Sequence, residues 1–175
     1  MCFNKFYFFS IFSLILTLGC SKVVAQPLLS EDKKAIKFYE EGEFCYRSMD
    51  YACAEEKLAK AVDRDPNFAN ALALYGYVLE GKGDFANAEK QYQQIVNTRP
   101  EFHSSIFLNL ADVQFRTQQF DASERNYKTF LNRYKGRGEK LIWLAKRGLE
   151  NIDFAREAVK HPVPYEAINM GPNVN

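Results

Sequence analysis

YGYVLEGKGDF, Tyr75 to Phe85, admits two incompatible readings. Gly76, Gly81 and Lys82 fall in the spacing G-x-x-x-x-G-K, most of a phosphate-binding loop. Such a loop follows a β-strand, and its lysine precedes a Ser or Thr that holds magnesium. Here Gly83 follows the lysine, and the preceding NALALYGYVLE is patterned as a helix. The other reading makes Gly76 a contact between two helices and places Gly81, Lys82 and Gly83 at the end of the first helix and in the turn beyond it.

The rest of the chain favours the second reading. Gly42, Gly76 and Ala111 stand 34 and then 35 residues apart. Nine residues after each comes an aromatic: Tyr51, Phe85 and Phe120. Three further on lies a small residue, Ala54, Ala88 or Ser123, and four beyond that a larger one, Leu58, Tyr92 or Tyr127. Pro66 and Pro100 close the first two units, since proline cannot continue a helix. The small pairs let two backbones approach, and the aromatic after the turn is expected to pack between the helices. This pattern resembles the tetratricopeptide repeat (TPR), a helix–turn–helix unit. The expected fold is therefore all-α, a TPR helix-turn-helix solenoid of about three repeats.

A solenoid needs a terminal helix to cover its last apolar face. GEKLIWLAKRGLENIDFAREAVKHP supplies one from about Glu139 to Lys160. Leu141, Leu144 or Ala145, Leu149, Ile152, Ala155 and Val159 recur at helical spacing there, and Trp143 is expected to be buried. RYKGRGEK, Arg133 to Lys140, reads as a solvated basic turn. At the other end, Ser30 followed by Glu31 and Asp32 reads as a helix start.

MCFNKFYFFSIFSLILTLGC precedes the repeats. Its apolar run, Phe6 to Gly19, suits a signal peptide and is short of the ~20 residues that span a bilayer. A short retained membrane anchor is the other reading. The ending LTLGC resembles a bacterial lipobox, departing from it at Thr17. That resemblance implies a lipoprotein in which Cys20 carries the lipid. Ser21, rather than an aspartate, follows it, which by resemblance to known sorting rules implies the outer membrane, facing the periplasm. The chain then divides into a lipoprotein-type signal peptide (1–19), a lipid-anchored tether and helix start (20–34), three TPR units (35–135), a capping helix (136–160) and an extended tail (161–175).

The tail adds a second resemblance. KHPVPYEAINMGPNVN is similar to the junction that leads from the last helix into a β-propeller in Bacteroidota OmpA-family, PorE-like lipoproteins. In that group an OmpA-like peptidoglycan-binding domain comes last. The resemblance implies a scaffold of the type IX secretion or gliding apparatus, with a PorP/SprF-like outer-membrane protein as partner. Peptidoglycan binding would require a domain beyond this chain. A general peptidoglycan-associated envelope lipoprotein is the alternative scaffold.

Chemistry is thinly represented. The two histidines, His103 and His161, are far apart, so a His-based metal cluster or catalytic triad lacks parts, and neither enzyme activity nor a cofactor or metal is expected. Once the leader's single charge, Lys5, is set aside, 22 basic and 22 acidic residues remain, without the basic excess of a nucleic-acid binder. Cys45 and Cys53 flank the first turn: an oxidising compartment would pair them, a packing role would keep them reduced, and a thiol-redox enzyme using both is the alternative from another class. Resemblance to the repeat family implies partner binding on the concave face. The residues implied there are Tyr39, Glu43, Tyr46 and Arg47, then Tyr77 and Glu80, then Asp112, Phe115 and Arg116. Chaperone-tail binders of that family place Lys and Asn on this face; Tyr39, Glu43 and Tyr77 stand there instead, so that ligand is not expected.

Overall fold

A computed structural model of the chain describes residues 30–161. Cys20, the leader and the tail from Pro162 lie outside the described residues. Those described form seven helices and no strand: α1 (Lys33–Arg47), α2 (Tyr51–Arg64), α3 (Ala69–Gly81), α4 (Phe85–Thr98), α5 (Ser105–Arg116), α6 (Phe120–Arg133) and α7 (Glu139–Lys160). They pair as three antiparallel hairpins, α1–α2, α3–α4 and α5–α6, and each hairpin packs on the next.

The repeat positions are where the helices meet. Gly42, Gly76 and Ala111 are buried, as are Ala54, Ala88 and Ser123 on the facing helices. A methyl group built on Gly76 would come within 2.6 Å of the Tyr92 ring, so only glycine admits that ring. In the third hairpin the Ser123 hydroxyl donates 2.7 Å to the Ala111 carbonyl, satisfying a polar group in a fully buried place. Ala69, Leu72, Leu79, Tyr92, Ile95, Ile106, Leu110 and Val113 form a core shared by the second and third hairpins.

The turns share one geometry. Met49, Gly83 and Gln118 occupy the same position in successive hairpins, and all have positive φ: 61°, 80° and 60°. Each closes the preceding helix with two backbone bonds; in the first, Met49 N–H donates to the Tyr46 carbonyl and Asp50 N–H to that of Cys45. This is the Schellman arrangement, which favours glycine at the left-handed residue. Asp50 and Asp84 then cap the following helices by accepting from the Cys53 and Asn87 amides. The sequence shows the glycine preference only at Gly83. A left-handed non-glycine costs about 1–2 kcal/mol, partly offset by glycine's greater chain entropy. Met49→Gly and Gln118→Gly should therefore each stabilise the fold by about 0.5–1 kcal/mol, read as higher melting temperatures. A lower melting temperature for either would contradict this account of the turns.

Three local expectations need correction. Asp32, not Ser30, caps α1, accepting from the Lys34 and Ala35 amides. Ser30 instead donates 2.6 Å to the Asp65 carboxylate. The Arg133–Lys140 stretch is exposed apart from Tyr134, and within it the Arg133 guanidinium lies 4.8 Å from the Phe107 ring centre and donates to the Pro100 carbonyl. Trp143 is 60% exposed. The α7 stripe that meets α6 runs through Leu141, Ala145, Gly148 and Ile152. At about 100° per residue, Trp143 lies roughly 200° round from Leu141, on the far side. Val159 is exposed as well, beyond Arg156, which binds Asp121 and Glu124 in the first turns of α6.

Candidate partner-binding cleft

The inner helices α1, α3 and α5 run toward their turns side by side, and a cleft of about 690 Å³ opens there. Tyr46, Tyr77, Glu80 and Arg116 line it from the inner helices, joined by Tyr51 and Phe85 from the first turns of α2 and α4. Tyr46 is the hub of the aromatic wall, its ring edge-on to Tyr51 (6.0 Å between centres) and to Tyr77 (5.7 Å). Tyr51 and Tyr77 remain 47% and 52% exposed, so both are within reach of a ligand. The Arg116 guanidinium lies 5.1 Å from the Phe85 ring centre, within cation–π range.

The expected surface residues separate into two groups. Tyr46, Tyr77, Glu80 and Arg116 come together at the cleft. Tyr39 turns away from it, packing 5.2 Å from Phe68 at the α1–α3 contact, and Phe115 packs against Phe120 between α5 and α6. Glu43 and Arg47 are occupied with each other across one turn of α1, at 2.7 Å. Asp112 accepts from the Tyr127 hydroxyl. Tyr51, Phe85 and Lys82 were not anticipated in the cleft. The signal for Tyr51 and Phe85 was the aromatic after each turn, which suggested packing between helices; at Tyr51 it stands half in solvent instead. Lys82 lines the cleft too, paired with Glu55 of α2.

Cys45 and Cys53 are joined in the structure, with Cα atoms 5.7 Å apart, and their loop carries both Tyr46 and Tyr51. Among the described residues no group of three or more His, Cys, Asp or Glu could hold a metal ion.

Glu80 and Asp112 are half-buried on adjacent inner helices. Burial pushes both carboxyls above the ordinary range, and the charge of Asp112 raises Glu80 further. Tyr92 donates 3.2 Å to Glu80, and burial beside that carboxylate holds the Tyr92 hydroxyl far above its usual pKa. A carboxyl with a raised folded pKa holds its proton more tightly in the native chain, so it weakens the fold as pH climbs from the unfolded value through the folded one. Relative to wild type, the Glu80→Gln/Asp112→Asn protein should be no different near about pH 3 and gain stability as pH rises above the unfolded carboxylate range, about pH 4. Paired melting curves from acid to neutral pH measure this. A variant that lost ground as pH rose would mean that the two charges are stabilised, not strained.

The stacked helix–turn–helix hairpins define a class, the TPR solenoid. No protein-family model matches the sequence, and no curated protein does. Solved structures share the fold. The first TPR domain of Spaghetti (RPAP3), bound to an HSP90 peptide SRMEEVD, is similar over 71% of this chain and 94% of its own, with 18% identity and a TM-score of 0.62. The Sgt2 TPR domain from Aspergillus fumigatus covers 81% of this chain and 93% of its own at 16% identity and a TM-score of 0.60. The Yersinia enterocolitica type III secretion chaperone SycD, in complex with a peptide of the translocator YopD, covers 69% and 93% at 14% identity and a TM-score of 0.62. At these identities the likeness establishes the fold.

Proposed function

We propose that the chain is a non-catalytic scaffold that docks a segment of a partner protein in the Tyr46–Tyr77–Arg116 cleft. The observation that carries this is the open aromatic wall at the ends of the inner helices: rigid rings and an arginine are the side chains that most often anchor interfaces. That two of the similar solenoids were solved with peptides bound supports the same use of the fold. The scaffold is held through Cys20 in the periplasmic leaflet of the outer membrane. The resemblance of the leader and of the tail supports a place in a type IX secretion or gliding-associated assembly, with a PorP/SprF-like outer-membrane protein as partner.

Photocrosslinking in native cells tests this. A benzophenone side chain at Tyr77 should capture an outer-membrane β-barrel protein, and the same group at Lys90, exposed on α4, should not. Equal capture at the two positions, or none at Tyr77, would remove the cleft from the interface. Cys20→Ala should abolish palmitate labelling and release the protein from the membrane fraction; unchanged labelling would remove the anchor.

A further inference from the structure

Charge on the described surface is unevenly matched. Lys57, Lys60, Arg64, Lys82, Lys128 and Arg156 each stand against a carboxylate. The stretch that joins α6 to α7 differs. Arg133, Lys135, Arg137 and Lys140 are exposed, and among the described residues none of the four has an acid within 4.0 Å. Glu139 is the one acid among residues 133–140, which leaves them a net charge of +3. Arg99 and Glu101, flanking the Pro100 that Arg133 touches, cancel each other.

Exposed apolar side chains continue this surface onto α7. At about 100° per residue, Lys140, Leu144 and Arg147 lie within about 100° of Trp143, all to one side of it. All four are exposed. Phe154, three turns on, is exposed as well and returns to about 20° from Trp143. The acids of α7 fall to the other side of Trp143, and Glu150, Asp153 and Glu157 are each paired with a cation of the same helix. A tryptophan and a leucine beside unpaired cations match a lipid headgroup layer. The indole is apolar with one polar edge, and long basic side chains lay their stems on apolar surface while their charges meet phosphate.

The place of this surface in the solenoid points the same way. The α6–α7 loop shares its end of the molecule with the start of α1 and the finishes of α2 and α4. The aromatic cleft lies at the opposite end, by the α1–α2 and α3–α4 turns. Ser30, where the tether would join the fold, donates to Asp65 just beyond α2. A chain held at Cys20 therefore meets the bilayer with this end first, a step that rests on the lipid-anchor reading, whereas the charge and the exposure do not. We propose that the Arg133–Lys140 loop and the Trp143 face of α7 rest on an anionic phospholipid surface. The cleft, at the far end, then stays free for a partner segment.

Trp143 is the only tryptophan of the chain, so its fluorescence reports on this face alone. Full-chain protein is mixed with vesicles of phosphatidylcholine, or of phosphatidylcholine with phosphatidylglycerol, each with and without bromine on the acyl chains. At about 0.15 M salt the emission should move to shorter wavelength and be quenched by bromine on the anionic vesicles only. At about 0.5 M salt both effects should shrink. Lys135→Glu/Arg137→Glu/Lys140→Glu should lose them, and a melting curve verifies that this variant is folded. Equal emission on the two kinds of vesicle, or an anionic response that survives charge reversal, would overturn the proposal. So would a response to polyglutamate without one to phosphatidylglycerol, which would give the surface to an acidic protein. Palmitate labelling separates this failure from failure of the anchor reading. Labelled protein whose Trp143 emission stays water-like keeps the anchor and rejects this surface; an anionic response without labelling keeps the surface and rejects the anchor.

Discussion

Tyr92→Ala is expected to lower the unfolding free energy by about 3–5 kcal/mol, the range for emptying a large buried aromatic site. Tyr92 is fully buried in the core shared by the second and third hairpins, its ring against Gly76 and its hydroxyl on Glu80. Against a typical domain stability of 5–15 kcal/mol, such a loss would bring melting down by about 10–20 °C. Tyr92→Phe keeps the ring and removes the hydroxyl's hydrogen bonds to Glu80 and Asn109, so about 1–2 kcal/mol should suffice for it. The partner position has the opposite sensitivity. Gly76→Ala gains about 1 kcal/mol of helix propensity and loses about 1–3 kcal/mol to the clash with a ring that has nowhere to go, and Gly76→Val should fare worse. Gly81→Ala, at a glycine with open space around it, should be neutral or mildly stabilising. Chemical denaturation of the five variants decides the matter: equal effects at Gly76 and Gly81 would remove the packing explanation for the repeat's glycine.

Loss of the Cys45–Cys53 bond carries the second large effect. With a sequence separation of 8, loop-closure entropy gives about 2.5 kcal/mol at 25 °C. The loop contains Tyr46 and Tyr51, so its loosening also blurs the aromatic wall and should weaken partner binding. Wild-type protein should melt lower in reductant, whereas Cys45→Ser/Cys53→Ser should melt low in either condition. A wild-type melting curve indifferent to reductant would show that the bond contributes nothing to the fold.

How much of this was visible in the residues depended on what each position must do. Gly42, Gly76, Ala54 and Ala88 were legible because close helix contact excludes larger side chains, so the composition itself records the contact. The left-handed turn residue was legible only at Gly83; Met49 and Gln118 take the same conformation at a cost, and nothing in their chemistry announces it. The cleft was half legible. A helical period identifies which residues share a face, so Tyr46, Tyr77, Glu80 and Arg116 could be grouped. It does not say that Tyr39 and Phe115 spend their rings on neighbouring helices, or that Tyr51, on an outer helix, leans into the cleft across a turn. Trp143 misled because size suggests burial, whereas its angle around α7 decides the matter.

The terminal helix carries one more consequence. α5 contributes to two hydrophobic clusters, one on each side, while α7 contributes to one. Away from the stripe that meets α6, α7 shows Lys146, Arg147, Glu150 and Asp153 to solvent, with Trp143, Leu144 and Phe154 exposed among them. The edge of the described array is thus drawn by a few charged side chains rather than by any special architecture of that helix. Adding a unit there would mean exchanging those charges for apolar side chains beside rings that already stand outside, and removing one would require a polar face on an inner helix. Evolution, or a protein engineer, could count this solenoid up or down by editing surfaces alone.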